Sequence, residues 1–126
     1  MKNTKLPISP HLQIYKPQIT SVLSITHRIT GFFLSLTLPL LLLWLFCIFL
    51  GLNAYNSFIT LFSYLPIKLI LIPITYAFSY HMLSGIRHLI WDCGYGFSLR
   101  FSSISGITIV TLSVLITLII NLLIIF

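Results

Sequence analysis

A chain of 126 residues bounds the architecture at one domain. Hydrophobic residues make up 58% and charged residues 6%, with a mean hydropathy of +1.09, which excludes an ordinary soluble domain carrying about 25% charge. Seven basic residues face a single acid, Asp92, and they are spread along apolar segments, so the net charge of +6 points to lipid head groups and topology rather than nucleic acid. The fold class that follows is an all-α membrane protein, with three transmembrane helices and an N-terminal membrane-surface arm.

Residues 1–23 are polar and interrupted by Pro7, Pro10 and Pro17, which predicts an extended arm at the membrane surface. Met1 to Ser24 shows neither a signal-peptide core with its cleavage site nor an Arg-rich presequence. The expectation is a chain made in the compartment where it works, or a mature form. Scarce alanine (Ala54 and Ala77 only) amid abundant Ile, Leu, Phe and Ser suits an AT-rich organellar or bacterial gene. Residues 24–126 form the three-helix transmembrane anchor.

Thr20 or Ser21 is the expected N-cap of the first helix. No charge occurs between Arg28 and Lys68, and a first span over about 29–52 is long enough for a bilayer, with a kink at Pro39. Gly51 and Asn53 to Ser57 end it and lead by a short connection to the second span, about 66–91, with Pro66 in its first turn. Cys93-Gly94-Tyr95-Gly96 makes the next turn, and the third span covers about 104–126. Cys47 and Cys93 form no metal-binding spacing and read as small apolar fillers.

Six cations (Lys2, Lys5, Lys16, Arg28, Arg87 and Arg100) share one side of this topology, against Lys68 alone on the other. The positive-inside rule therefore puts the N-terminus on the inner face. His81 lies roughly 20 Å along the helix from Lys68 and 17 Å from Asp92, near the midplane of a core about 30 Å thick. His88 lies about 10 Å nearer the inner face. His27 and Arg28 are expected at the level of His88, forming a polar cluster with Asp92.

If the second span is helical, His81, Gly85, His88 and Asp92 share one face. Ionisable groups at this depth cost several kcal/mol even on the mildest scale. Two readings of His81 stand: a histidine hydrogen-bonded to a neighbouring helix, or a metal ligand, most naturally for haem, since neutral imidazole is a common axial donor. No second histidine lies at its depth, so a bis-histidine haem needs a ligand from another chain. Ser24, His27, Arg28, Gly31 and Ser35 make a matching stripe on the first span. Arg28 is either a snorkelling anchor or a bidentate partner for a carboxylate, and Ser24 either a cap or a donor to a carbonyl ligand. Ser113, Thr117 and Asn121 form a third stripe, suited to helix packing.

Two blocks carry a resemblance. Ser9-Pro10-His11-Leu12-Gln13-Ile14-Tyr15, followed by Pro17-Gln18-Ile19-Thr20-Ser21-Val22-Leu23-Ser24-Ile25-Thr26-His27-Arg28-Ile29-Thr30-Gly31, resembles the N-terminal signature of the succinate dehydrogenase cytochrome b556 family. His81 to Asp92, with its Gly-Ile-Arg-His core, is similar to that family's second signature. The resemblance spans essentially the whole chain; the departures from the family pattern are a brief N-terminal region and no presequence. It implies the larger of two small membrane anchors of respiratory complex II, a succinate:ubiquinone oxidoreductase. The implied partners are a second small anchor, an iron–sulfur subunit and a flavoprotein subunit that carries the succinate chemistry; this chain has no succinate-oxidising site. On the same ground, His81 looks like an axial ligand to the iron of haem b, with the other ligand supplied by the partner anchor. Ser24 and Arg28 look like the ubiquinone pair, and His27, Arg28 and His88 would lie near the haem propionates. Arg87 and Asp92 take orienting roles. The implied location is the mitochondrial inner membrane with the N-terminus on the matrix side, or else a bacterial cytoplasmic membrane. A fumarate reductase anchor, a haem-free structural anchor and a small ion carrier are the rival readings.

Overall fold

The structure, a computed structural model, describes residues 16–125. Four helices follow one another: α1 (Ile19–Leu50), α2 (Leu52–Ser63), α3 (Leu65–Asp92) and α4 (Leu99–Ile125). Three of them, Ile19–Leu50, Leu65–Asp92 and Leu99–Ile124, are long and apolar enough to cross a membrane. The surface arm expected over 1–23 lies outside the described residues as far as residue 15. Lys16, Pro17 and Gln18 are exposed and non-helical, and Ile19 already belongs to α1.

Helix α1 begins with Gln18 as an extended N-cap that offers no side-chain bond. Thr20 and Ser21, the expected caps, sit inside the first turn instead. The helix runs uninterrupted through Pro39 for 32 residues, about 48 Å at 1.5 Å per residue. That exceeds a bilayer core of about 30 Å. Gly51 ends it at φ 102°, a backbone region that favours glycine.

Helix α2 departs from the sequence expectation of a short connection. The stretch Asn53 to Ser57, read as a chain break, lies inside a 12-residue helix, and Asn53, Asn56, Ser57 and Thr60 line one of its faces. Their hydroxyls bond their own helix: Ser57 Oγ donates to the Asn53 carbonyl at 3.0 Å and Thr60 Oγ1 to that of Asn56 at 2.8 Å. The opposite face, with Phe58 and Phe62 stacked 4.6 Å apart, packs towards α1 and α3. At about 18 Å it is too short to span. Tyr64 then turns the chain into α3, with Pro66 in the first turn, where its missing N–H costs nothing.

Beyond α3, the Trp91 indole N–H donates to the Gly96 carbonyl at 3.3 Å, and the Phe101 ring lies against Gly96 where a Cβ would stand. Ser98 Oγ accepts the Phe101 N–H at 3.3 Å, a cap that starts α4 at Leu99, five residues before the expected 104.

Helix α3 is the centre of the bundle, packed along α4 on one side and α1 on the other. Its interior is small and polar: Thr30, Ser79, Ser84, Ser102, Ser113, Thr117 and Asn121 are buried, while rows of Leu, Ile and Phe face outwards. Lipid tails are as apolar as leucine, so helices in a bilayer associate through close approach and interhelical hydrogen bonds. Asn121 Nδ2 donates across to Thr75 Oγ1 at 2.7 Å, which is where the α4 stripe finds its partner. Near the start of α1, a Cβ on Gly106 would collide with the Leu23 side chain, so this glycine lets α1 and α4 meet.

Ser113 is fully buried at the α3–α4 approach, whereas its neighbour Val114 is 43% exposed. Ser113→Leu is expected to lower bundle stability by about 1–3 kcal/mol through overpacking. Val114→Leu should stay within about 0.5 kcal/mol of the parent. Thermal unfolding in detergent, followed by circular dichroism, separates the two.

Candidate functional site

Two adjacent residues of α3 hold two carbonyls one turn apart on α1. The Tyr80 hydroxyl donates to the Leu23 carbonyl at 3.0 Å, and His81 Nδ1 lies 3.1 Å from the His27 carbonyl. Thr30 Oγ1 donates to that same carbonyl at 2.9 Å and stands 3.3 Å from His81 Nδ1. A carbonyl oxygen only accepts, so the contact places the proton on Nδ1 and leaves the His81 lone pair on Nε2. A backbone carbonyl holding Nδ1–H while Nε2 faces a metal is the usual arrangement of a metal-ligating histidine. Gly31 makes room for the ring: a Cβ there would lie 2.8 Å from His81 Cε1.

The three intramembrane histidines form a ladder. The His27 ring lies 4.1 Å from that of His81 and 4.9 Å from that of His88. His27 therefore sits between the other two in depth rather than level with His88. Its Nε2 is buried with no hydrogen-bond partner. The rings stack instead of converging, and among the described residues no group of three His, Cys, Asp or Glu side chains is placed to hold a metal ion. One imidazole with a free lone pair, flanked by an orphaned buried nitrogen, fits a group that brings most of its own ligands, such as haem. A propionate oxygen would satisfy a His27 N–H there.

On the other side of the ladder, Thr20, Ser21, Ser24, Ile25, Arg28, His88 and Trp91 line an open cavity of about 370 Å³. The structure thus brings Ser24, Arg28 and His88 to one cavity, with His27 and His81 behind it. Ser24 is half-buried and Arg28 exposed. Asp92 does not join them; it is exposed at the last residue of α3. At Gly85 an added Cβ would meet nothing, so Gly31, not Gly85, is the glycine against the His81 ring.

Arg87 turns away from the histidines towards α4. Its Nη2 donates to the Ser102 carbonyl at 2.7 Å and to Ser102 Oγ at 2.9 Å, and its guanidinium lies 4.2 Å over the Trp91 ring. Trp91 also meets His88 edge-on at 5.3 Å, so one indole braces the cavity wall and the arginine together. Sequence reasoning passed over Tyr80, Thr30 and the packing role of Trp91. Thr30 and Tyr80 carry a weak signal, one three residues after His27 and the other next to His81.

Fold and site together define a three-span membrane subunit with an intramembrane imidazole cluster and an interfacial cavity. Residues 2–120 match the succinate dehydrogenase/fumarate reductase transmembrane subunit family, and the chain belongs to it. Among its relatives, the succinate dehydrogenase cytochrome b556 subunit of Rickettsia typhi is 47% identical, over 90% of this chain and 88% of its own length. The succinate dehydrogenase cytochrome b560 subunit of Reclinomonas americana is 39% identical, over 93% of this chain and 85% of its own. The corresponding b560 subunit of Marchantia polymorpha is 42% identical, over 80% and 77%.

Gly31→Ala should displace the His81 ring and shift the imidazole resonances of His81 in nitrogen NMR of the labelled protein. It should also cost about 1–3 kcal/mol of stability. Gly85→Ala, which meets open space, should change neither; an equal effect from both would remove the special status of Gly31.

Proposed function

We propose that the chain is a membrane anchor of a succinate:ubiquinone oxidoreductase, binding haem b together with a partner anchor and lining the site where ubiquinone is reduced. The observation that carries this reading is the junction at α1 and α3. One face of α1 opens Ser24 and Arg28 to a cavity, while the next fixes the tautomer of His81. The same residues fall in the two sequence blocks that resemble the cytochrome b556 family, and the relatives named above are cytochrome subunits of succinate dehydrogenase. An iron–sulfur subunit docking on the inner face, and a flavoprotein behind it, complete the electron path. Eukaryotic and bacterial relatives are both consistent with a mitochondrial inner membrane, or else a bacterial cytoplasmic membrane, with the N-terminus inside.

In this reading His81 Nε2 would hold the haem iron, with a second donor from the partner anchor. Haem held there would supply a one-electron carrier. His27 Nε2, Arg28 and His88 would meet its propionates. Arg28 meets the negative charge that develops on a ubiquinone oxygen, and the Ser24 hydroxyl donates to the quinone carbonyl. The sequence holds one acid for seven bases. Arg28 thus has no carboxylate of its own chain to neutralise it except the exposed Asp92, and its charge is free for a ligand. Protons enter from the inner aqueous side.

Two measurements test this. A reduced-minus-oxidised spectrum of the purified complex should show a b-type band that His81→Ala abolishes. A band that survives in the assembled mutant would refute the ligand assignment, and its absence from the parent would point to a haem-free anchor. Arg28→Leu should raise the KM for ubiquinone about tenfold or more, the span of a hydrogen bond to a charged group. An unchanged KM would remove Arg28 from the quinone site.

A further inference from the structure

We infer that Tyr80 is a positioning residue for the quinone cavity, setting the rotation of α1 so that Ser24 and Arg28 face it; this rests on the quinone reading above. Tyr80 is the largest fully buried side chain, 1% exposed, at the centre of the α1–α3 contact. A buried phenol must place its hydroxyl on a partner, and here the partner is a main-chain carbonyl of the neighbouring helix, Leu23 O, at 3.0 Å. Leu23 directly precedes Ser24, and a helix turns about 100° per residue. Leu23, His27 and Thr30 fall on one stripe of α1, and Ser24 and Arg28 on the adjacent one. Whatever holds the first stripe against α3 thereby aims the second.

Two bonds from α3 hold that first stripe. His81 acts at the His27 carbonyl, one turn deeper. Tyr80 acts at the level of the cavity itself. The Leu23 side chain, the one buried apolar side chain of α1, presses on Gly106 of α4 but offers no direction about the helix axis. A directional bond at Leu23 is therefore what fixes rotation beside Ser24. Leu23 O also belongs to the i to i+4 ladder that receives the His27 N–H, so the phenol acts on the turn that joins the cavity to the histidines. Beyond Gly31, Phe32, Phe33 and Leu36 of α1 face outwards.

Tyr80→Phe keeps the ring and its packing and removes only the directional bond. In the assembled complex in its native membrane, it should raise the KM for a short-chain ubiquinone about 2- to 10-fold, the span of one hydrogen bond, with kcat within about twofold. Haem content and succinate-driven reduction of a soluble dye that accepts electrons ahead of the quinone should stay at parental values. Ser24→Ala and Arg28→Leu, measured alongside, separate the two layers of the argument. If those two raise KM and Tyr80→Phe does not, the positioning role is overturned while the quinone reading survives. If none of the three changes KM, the quinone reading fails and the role of Tyr80 falls with it. A variant that assembles at lower yield with parental KM and kcat marks Tyr80 as a folding contact only, which also overturns the inference. Should Tyr80→Phe fail to assemble, Tyr80→Trp supplies a second large ring without a hydroxyl, read by the same KM.

Discussion

The bundle depends on hydrogen bonds from α3 side chains to main-chain carbonyls of α1. A helix carbonyl in an apolar medium has a spare lone pair and no water to meet it, so a hydroxyl or imidazole N–H on a neighbouring helix is favoured there. Tyr80 and His81 supply two such donors in succession, aimed at Leu23 and His27. The spacing of one helical turn between the acceptors means that α1 can neither slide nor rotate without losing both. Each group named in the functional reading is reached from this seam: the cavity on its surface side, the His81 Nε2 lone pair on its inner side, and the His27 nitrogen between them.

The other side of α3 solves a different problem. Arg87 brings a full charge into the bundle, 6% exposed, and the chain answers it with a carbonyl, a hydroxyl and an indole face rather than a carboxylate. Such neutral partners leave the charge in place while meeting the Nη2 donors, although Nε remains without a partner. The consequence is mechanical: Arg87 ties α3 to the start of α4, and Trp91 ties Arg87 to the wall of the cavity through His88. With α1 gripped on one side and α4 on the other, α3 becomes the rigid element from which the site is built.

Much of this was readable beforehand. The number of spans followed from charge-free lengths, because a bilayer imposes about 20 apolar residues per crossing. The choice of Ser24, His27, Arg28, His81 and His88 followed from polar residues recurring on helical stripes; Ser24, Arg28 and His88 line one cavity, and the three histidines form the ring ladder beside it. Two readings failed for identifiable reasons. Asn53 to Ser57 look like a break until the Ser57 hydroxyl is seen to bond its own helix, which makes α2. The contact of the His81 ring with Gly31 of another helix is one that no spacing within α3 can show. Asp92 shares a stripe with His88 but ends the helix, where it is exposed.

By itself the sequence determined that this is a membrane protein, roughly where its three crossings lie, and which polar residues stand in stripes along them. Apolar length and polar spacing are local properties and need no partner helix to be expressed. The tertiary structure alone decided which face of each helix turns inward, which tautomer His81 adopts, and that Arg87 serves α4 rather than the histidines. The physical reason lies in the solvent. Water marks the buried face of a soluble helix with a hydrophobic stripe, but lipid leaves leucine equally content on either side. Rotation within the membrane is therefore set by a few small residues and directional hydrogen bonds, whose meaning appears only when the helices meet.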